Sequence, residues 1–322
     1  MRIGGIVLAV AVAVVLLAIV LFRSTRFDLP SAGSMAALPD DLDVYLEESE
    51  ARFEDIVPGT EKRITWHDPV RKDPTHFVVV YLHGFSATRQ ETAPLAARVA
   101  ASLNANLFET RLQGHGRRGE AMAEATVRGW LADAREAMAI AERLGDRTVL
   151  IGTSTGGSLA LWAASRPEFE PQLETMVLIS PNLGPRNEKS KLFLWPGGTT
   201  LARWIAGPER SWEPQNEAQG RYWTTRYPIE AVKPMAELVA GVRRLDPQAI
   251  DVPTLLLHSD RDEVIRVHEA VDFFDELGAS HKARVVVDDT GDPEGHVLAG
   301  DILSPGTTER LARVIVRFTV ME

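Results

Sequence analysis

Cysteine is absent from the chain, which excludes disulfide bridges and thiolate metal sites. Positive charge is scarce as well: 35 lysines and arginines stand against 45 aspartates and glutamates, a formal net charge of −10. Three of the arginines, Arg2, Arg23 and Arg26, lie at the N-terminus, so the remainder carries 32 basic against 45 acidic residues. A body with that balance repels a phosphate backbone, and nucleic acid is not an expected partner. Internal repeats are lacking, and so are low-complexity tracts after the first stretch. One absence is local. From Ile3 to Phe22 no residue is charged. As a helix rising about 1.5 Å per residue, that run spans about 30 Å, the hydrocarbon thickness of a bilayer.

The run is expected to be a single-pass N-terminal transmembrane helix, and the membrane a partner through it. A cleaved signal peptide competes, but the run exceeds the usual ~7–15-residue signal core, and no small-x-small site follows it directly. Ser34-Met35-Ala36 lies well beyond. The flanking arginines hardly bias orientation. An N-terminal apolar helix generally works as an export signal, which favours an extracytoplasmic body. Pro30, Ser31, Gly33 and Ser34, then the acidic stretch from Asp40 to Glu50, read as a linker followed by a short surface helix.

Beyond it the pattern alternates. Glu61–Trp66, Phe77–Leu82, Asn106–Thr110, Thr148–Ile151, Met176–Ile179, Thr254–Leu257 and Arg284–Val287 read as strands, most of them apolar throughout. Helical segments at Thr92–Leu103, Ala125–Leu144 and Ser154–Ser165 separate them. Uniformly apolar strands between helices imply a parallel sheet covered on both faces, an α/β protein. From Pro181 to Asp251 no clear strand is legible, and this insert holds Trp195, Trp204, Trp212 and Trp223, four of the seven tryptophans. Such tryptophans commonly just pack a small helical subdomain; in the compatible functional reading, the insert forms a helical cap whose tryptophans border an apolar pocket.

The chemistry is concentrated at Gly152-Thr153-Ser154-Thr155-Gly156, between an apolar strand and an apolar helix. Gly-x-Ser-x-Gly in that setting is a nucleophile elbow, a sharp turn that exposes the serine hydroxyl at its tip. Side chains at Gly152 and Gly156 would collide across the turn. A serine nucleophile needs a base, and the base an orienting acid. After Ser154 the histidines are His258, His268, His281 and His296. His296 follows the last strand in a loop, where reactive groups of parallel sheets collect. Asp260 and Asp262 both follow the strand before it; Asp262 is favoured, since Val264-Ile265 can pin it. Tyr81-Leu82-His83-Gly84-Phe85 ends an early strand. The N–H groups of Phe85 and Thr155 are assigned as oxyanion donors, with His83 a structural brace for the turn.

His83-Gly84-Phe85, Arg111-Leu112-Gln113-Gly114-His115-Gly116, the Gly152–Gly156 elbow, Asp260–Ile265 and Gly295-His296 together resemble the α/β-hydrolase superfamily. The chain is most similar to its esterase, monoacylglycerol-lipase and serine-aminopeptidase-like branch, over Phe77 to Val320. The resemblance implies a mostly parallel eight-stranded sheet with a cap after the sixth strand, and no cofactor. Together with the N-terminal reading, this divides the chain into an anchor or signal peptide (1–26), a linker with a short helix (27–58), and a hydrolase domain (59–322) with its cap at about 184–250. The N-terminal run departs from the family pattern. The expected activity is hydrolysis of a small-molecule ester or lipid through an acyl-enzyme on Ser154, with Asp262 and His296 completing the triad. Acyltransferase, thioesterase and peptidase activities share that intermediate, and a silent membrane-anchored binding module is the alternative outside enzymes.

Overall fold

The computed structural model describes residues 11–17, 19, 27–33 and 37–321. In chain order the described strands are β1 (Arg63–Thr65), β2 (Thr75–Leu82), β3 (Asn106–Glu109), β4 (Gly145–Thr153), β5 (Leu173–Ile179), β6 (Glu209–Ser211), β7 (Arg226–Pro228), β8 (Thr254–His258) and β9 (Lys282–Val286). The helices are α1 (Leu42–Glu50), α2 (Leu95–Leu103), α3 (Val127–Leu144), α4 (Thr155–Ala164), α5 (Gly198–Ala206), α6 (Glu217–Tyr222), α7 (Val232–Val242), α8 (Val267–Asp275) and α9 (Pro305–Val320).

Seven strands form the main sheet in the order β1-β3-β2-β4-β5-β8-β9, parallel except for β1, which runs antiparallel to β3. Alternation along each strand sends side chains to two separate cores. Val78, Val80, Leu82, Leu150, Met176, Leu178 and Leu256 join the cluster with α3, α4 and α7. Val79, Tyr81, Val149, Ile151, Val177, Ile179, Leu255 and Leu257 join the one with α2 and α9. Both faces are therefore covered, and the strands read as unbroken apolar runs for that reason. The segments carrying His83–Phe85, Ser154, Asp262 and His296 follow the C-terminal ends of β2, β4, β8 and β9.

The expected eight strands are corrected to seven among the described residues, and the cap follows the fifth strand rather than the sixth. Ahead of β1 the backbone bonds elsewhere than on the sheet edge. Val57 N–H donates to Gly116 O at 2.8 Å, and the Thr60 hydroxyl donates to Val57 O or Gly116 O. The insert is not purely helical either. Beside α5, α6 and α7 it contains the antiparallel hairpin β6–β7, strands of three residues whose signal is too short to register as alternation.

Among the described residues no helix is long and apolar enough to cross a membrane. Of the uncharged run, only residues 11–17 and 19 are described, as helix with exposed side chains; the remainder of the expected transmembrane helix lies outside the described residues. The linker is also not free-running. Phe27 and Leu29 pack against the core that includes buried Ala32, Leu29 lies against Gly241 of α7, and Asp28 pairs with Arg244 at 2.9 Å. Apolar residues spaced through a Pro- and Ser-containing stretch give it something to bury. The acidic helix α1 is tied down as well, through a buried two-pronged ion pair between Glu50 and Arg111 (2.7 and 2.8 Å).

Candidate active site

Ser154 is the tip of the turn from β4 into α4. Its φ of 52° and ψ of −113° are values a non-glycine residue rarely adopts, at a cost of about 1–3 kcal/mol. Surrounding bonds hold it there: its N–H donates to Ile179 O (2.9 Å), and its carbonyl accepts from Gly157 N–H (3.0 Å) and Asn182 N–H (2.9 Å). A Cβ on Gly152 would meet Gly156 O at 2.4 Å, and one on Gly156 would meet Leu82 O at 2.0 Å. Glycine at both places is thus a steric requirement of β4, α4 and the end of β2 meeting so closely.

His296 and Asp262 come together. Imidazole Nδ1 and carboxylate Oδ2 are 2.7 Å apart, with the Asp262 side chain wholly buried. The other oxygen, Oδ1, accepts from Val264 N–H (2.8 Å) and Ile265 N–H (3.0 Å). Asp260 points outward with its side chain 66% exposed, close to His258 Nδ1 at 3.4 Å. Burial works against the His296 cation, but the charge and hydrogen bond of Asp262, with Glu91 and Asp292, outweigh it and raise the pKa above the ordinary 6.5. Because Nδ1 is engaged, Nε2 is the nitrogen left for a substrate or nucleophile. Ser154 and His296 line one cavity. No hydrogen bond joins their side chains, as is common before substrate seats.

The remaining candidate histidines stand elsewhere. His268 is exposed on α8, and His281 stacks on Phe318 of α9 with ring centroids 4.5 Å apart. His83 is fully buried and neutral: burial, then His115 and Arg111, lower its pKa well below 6.5. Its Nδ1–H donates to Gly84 O (2.9 Å) and its Nε2 accepts from Leu112 N–H (3.1 Å). It fastens the loop after β2 to the Arg111–Gly116 segment. The N–H groups of Phe85 and Thr155 have no acceptor among the described residues, and the contact of Gly156 with Leu82 O and His83 O brings their two segments together.

Two residues that sequence reasoning missed support these loops. Asp292 Oδ2 accepts from His296 N–H (3.0 Å) and Val297 N–H (2.8 Å), and its Oδ1 accepts from Gln215 Nε2 of the cap (3.0 Å). It shapes the loop that presents His296. Glu91 is buried against the loop after β2, where Oε2 accepts from Gly84 N–H (2.8 Å) and the Tyr81 hydroxyl (3.1 Å). An aspartate four residues before a histidine is a turn signal in the sequence; Glu91 carries none.

The cavity measures about 920 Å³. Its lining surface is largely apolar, with Phe193, Trp195, Trp212, Trp223, Tyr227 and Met235 contributing, and charged residues such as Arg186, Glu188 and Arg210 also border it. Three of the four cap tryptophans therefore border it. The exception corrects the expectation: Trp204 is 87% exposed on the outer face of α5. Among the described residues no cluster of three or more histidines and carboxylates is arranged to hold a metal ion.

The family model of serine aminopeptidase S33 matches residues 73–290. No curated protein matches the chain. Among solved structures, one from work on LipS and LipT, two metagenome-derived lipolytic enzymes, is 22% identical. It superposes with a TM-score of 0.66 over 82% of this chain and 98% of its own. The monoacylglycerol lipase of Paleococcus ferrophilus is 16% identical, with a TM-score of 0.56 over 80% and 97%. A soluble variant of the monoglyceride lipase of Saccharomyces cerevisiae is 12% identical, with a TM-score of 0.57 over 81% and 92%. At these identities the structures speak for the fold, and the family match spans well over half the chain. With its doubly covered parallel sheet, this chain belongs to the serine aminopeptidase S33 family of α/β hydrolases.

Proposed function

We propose that the protein is a serine hydrolase of carboxylic esters with an apolar acyl group. The observation that carries this is the buried Asp262–His296 pair facing the same cavity as the strained elbow serine. Ser154 Oγ attacks the ester carbonyl while His296 Nε2 takes its proton; Asp262 fixes the tautomer and stabilises the imidazolium. The carbonyl oxygen, now an oxyanion, takes the free N–H groups of Phe85 and Thr155, each such donor contributing about 2.7–4 kcal/mol in known cases. Collapse expels the alcohol, which receives the proton from His296. A water molecule deprotonated by His296 then releases the acid and regenerates Ser154. The aromatic cavity wall suits an acyl chain, whose burial is worth about 0.8 kcal/mol per CH₂.

Ester turnover across a panel of chain lengths tests the reading. Ser154→Ala and His296→Ala are each expected to abolish it while the circular dichroism spectrum stays that of the native fold. Near-normal turnover by either folded variant would refute the assignment. Amino-acid anilides in the same panel address the peptidase alternative; cleavage of those in preference to esters would replace the ester reading. The proposal includes a tether. The uncharged run Ile3–Phe22 anchors the body to a membrane, with the hydrolase domain outside the cytoplasm. Protein that remains with membranes in 1 M salt, where screening falls to about 3 Å, and needs detergent for release would support it. A mature chain beginning after about Ser34 would defeat it.

A further inference from the structure

We infer that Glu91 is a positioning residue of the oxyanion hole, holding its two halves in register and placing a carboxyl charge beside His296. The inference rests on the serine-hydrolase reading above. Glu91 lies in the turn ahead of α2, is 2% exposed, and lines the cavity that holds Ser154 and His296. Its Oε2 occupies the Gly84 N–H, so that in this loop the next amide, that of Phe85, is the one left for an oxyanion. The carboxyl lies tight against the loop: a Cβ on Gly84 would sit 2.6 Å from Oε1. The same Oε2 accepts from the Tyr81 hydroxyl, which is hydrogen-bonded in turn to Thr153 Oγ1 at 3.2 Å. Thr153 immediately precedes the nucleophile. One chain of bonds therefore runs from the Phe85 loop through Glu91 and Tyr81 to the elbow that presents Thr155.

The Glu91 carboxyl also differs from other buried glutamates in its charge environment. Two other buried glutamates have arginine partners, Glu50 with Arg111 and Glu109 with Arg89. Glu91 has no ion-pair partner among the described residues. Its neighbour Arg89 is turned away to Glu61 O and Glu109. Tyr81 of β2 is bonded to it, and His296 and Asp292 from the loop after β9 line the same cavity and act on its charge. Burial dominates and pushes its pKa up to about 7, against the opposing pull of the Gly84 N–H and His296. When ionised, Glu91 favours the His296 cation, and it contributes to the raised pKa of that ring. An uncharged residue of the same shape keeps the bond to Gly84 and gives up that effect.

The test measures kcat, KM and the pH profile of ester turnover for the full chain and two variants, with a thermal melt to verify folding. Glu91→Ala is expected to lose about tenfold or more in kcat with little change in KM, less than the 10²–10³ of deleting an oxyanion donor outright. Glu91→Gln is expected to recover most of that loss, since its amide oxygen still accepts from Gly84 N–H. Its acid limb of kcat/KM should fall to lower pH, because His296 no longer has the nearby carboxylate. A wild-type acid limb in Glu91→Gln, or an unchanged kcat in folded Glu91→Ala, would overturn the inference. Reaction of the wild-type protein with a fluorophosphonate probe, run in parallel, separates the two claims. No reaction at Ser154 refutes the hydrolase reading itself; reaction there with unaffected Glu91 variants refutes only the role of Glu91.

Discussion

Three buried titratable side chains, Asp262, His296 and Glu91, belong to this site, and their surroundings differ. Asp262 has both oxygens engaged, one by His296 and one by two backbone N–H groups, while Asp260 faces solvent. Asp262→Asn is therefore expected to cut turnover by up to about 10⁴-fold, the loss seen when a triad acid is removed elsewhere, and Asp260→Asn to leave it nearly intact. Steady-state rates on one ester distinguish them, and the reverse ranking would move the acid to Asp260. Because His296 is raised above 6.5, the acid limb of kcat/KM should lie above the ordinary histidine value. The stability consequence has a definite sign. A raised histidine contributes stability below pH 6.5 that is lost as pH climbs through its folded pKa. Glu91, raised from 4.5 to about 7, contributes below 4.5 and loses that contribution as pH climbs to about 7. Thermal melts should thus decline from pH 5 to pH 8, and Glu91→Gln should flatten the decline. An equally steep decline in the variant would contradict the buried-carboxyl account.

At the scale of elements, the strands and the elbow were legible because they obey strong local rules. β2, β4, β5 and β8 are apolar on both faces, and a Gly-x-Ser-x-Gly between strand and helix has one steric solution. The cap was less so. Its hairpin has only three residues per strand, and its tryptophans carry no mark of direction: Trp223 is buried, and Trp204 on the same insert is exposed. The Asp262–His296 pair was anticipated from order along the chain and Asp292 left a turn signal, whereas Glu91, bonded to Gly84 N–H and the Tyr81 hydroxyl, leaves no pattern in sequence. The cap makes its own test possible. Trp195→Ala, Trp212→Ala and Trp223→Ala should each shift chain-length preference toward shorter or longer esters, and Trp204→Ala should not. Equal, unchanged preference in all four would mean that the cap tryptophans serve packing alone.

On the scale of the whole molecule, the site belongs to a body whose reactive groups all lie beyond residue 75. The segment from Phe27 to Ala32 is nevertheless docked beside α7, with Leu29 and Ala32 in its core contacts and Asp28 on Arg244. Removal of residues 1–26 should leave that docking intact and give an active hydrolase with unchanged kcat on a short soluble ester. Removal of residues 1–37 strips the docked segment and should lower the melting temperature by a few degrees, as expected for losing about 1–2 kcal/mol from a chain of this size. Equal melting temperatures for the two truncations would show that the docking contributes nothing.

The central claim is that Ser154 is the nucleophile, and covalent labelling addresses it most directly. Protein treated with a fluorophosphonate, digested and mapped by mass spectrometry should carry one adduct, on the peptide containing Ser154, and His296→Ala should label far more slowly. A folded, ester-hydrolysing protein that carries its adduct on another residue, or none, would contradict the account.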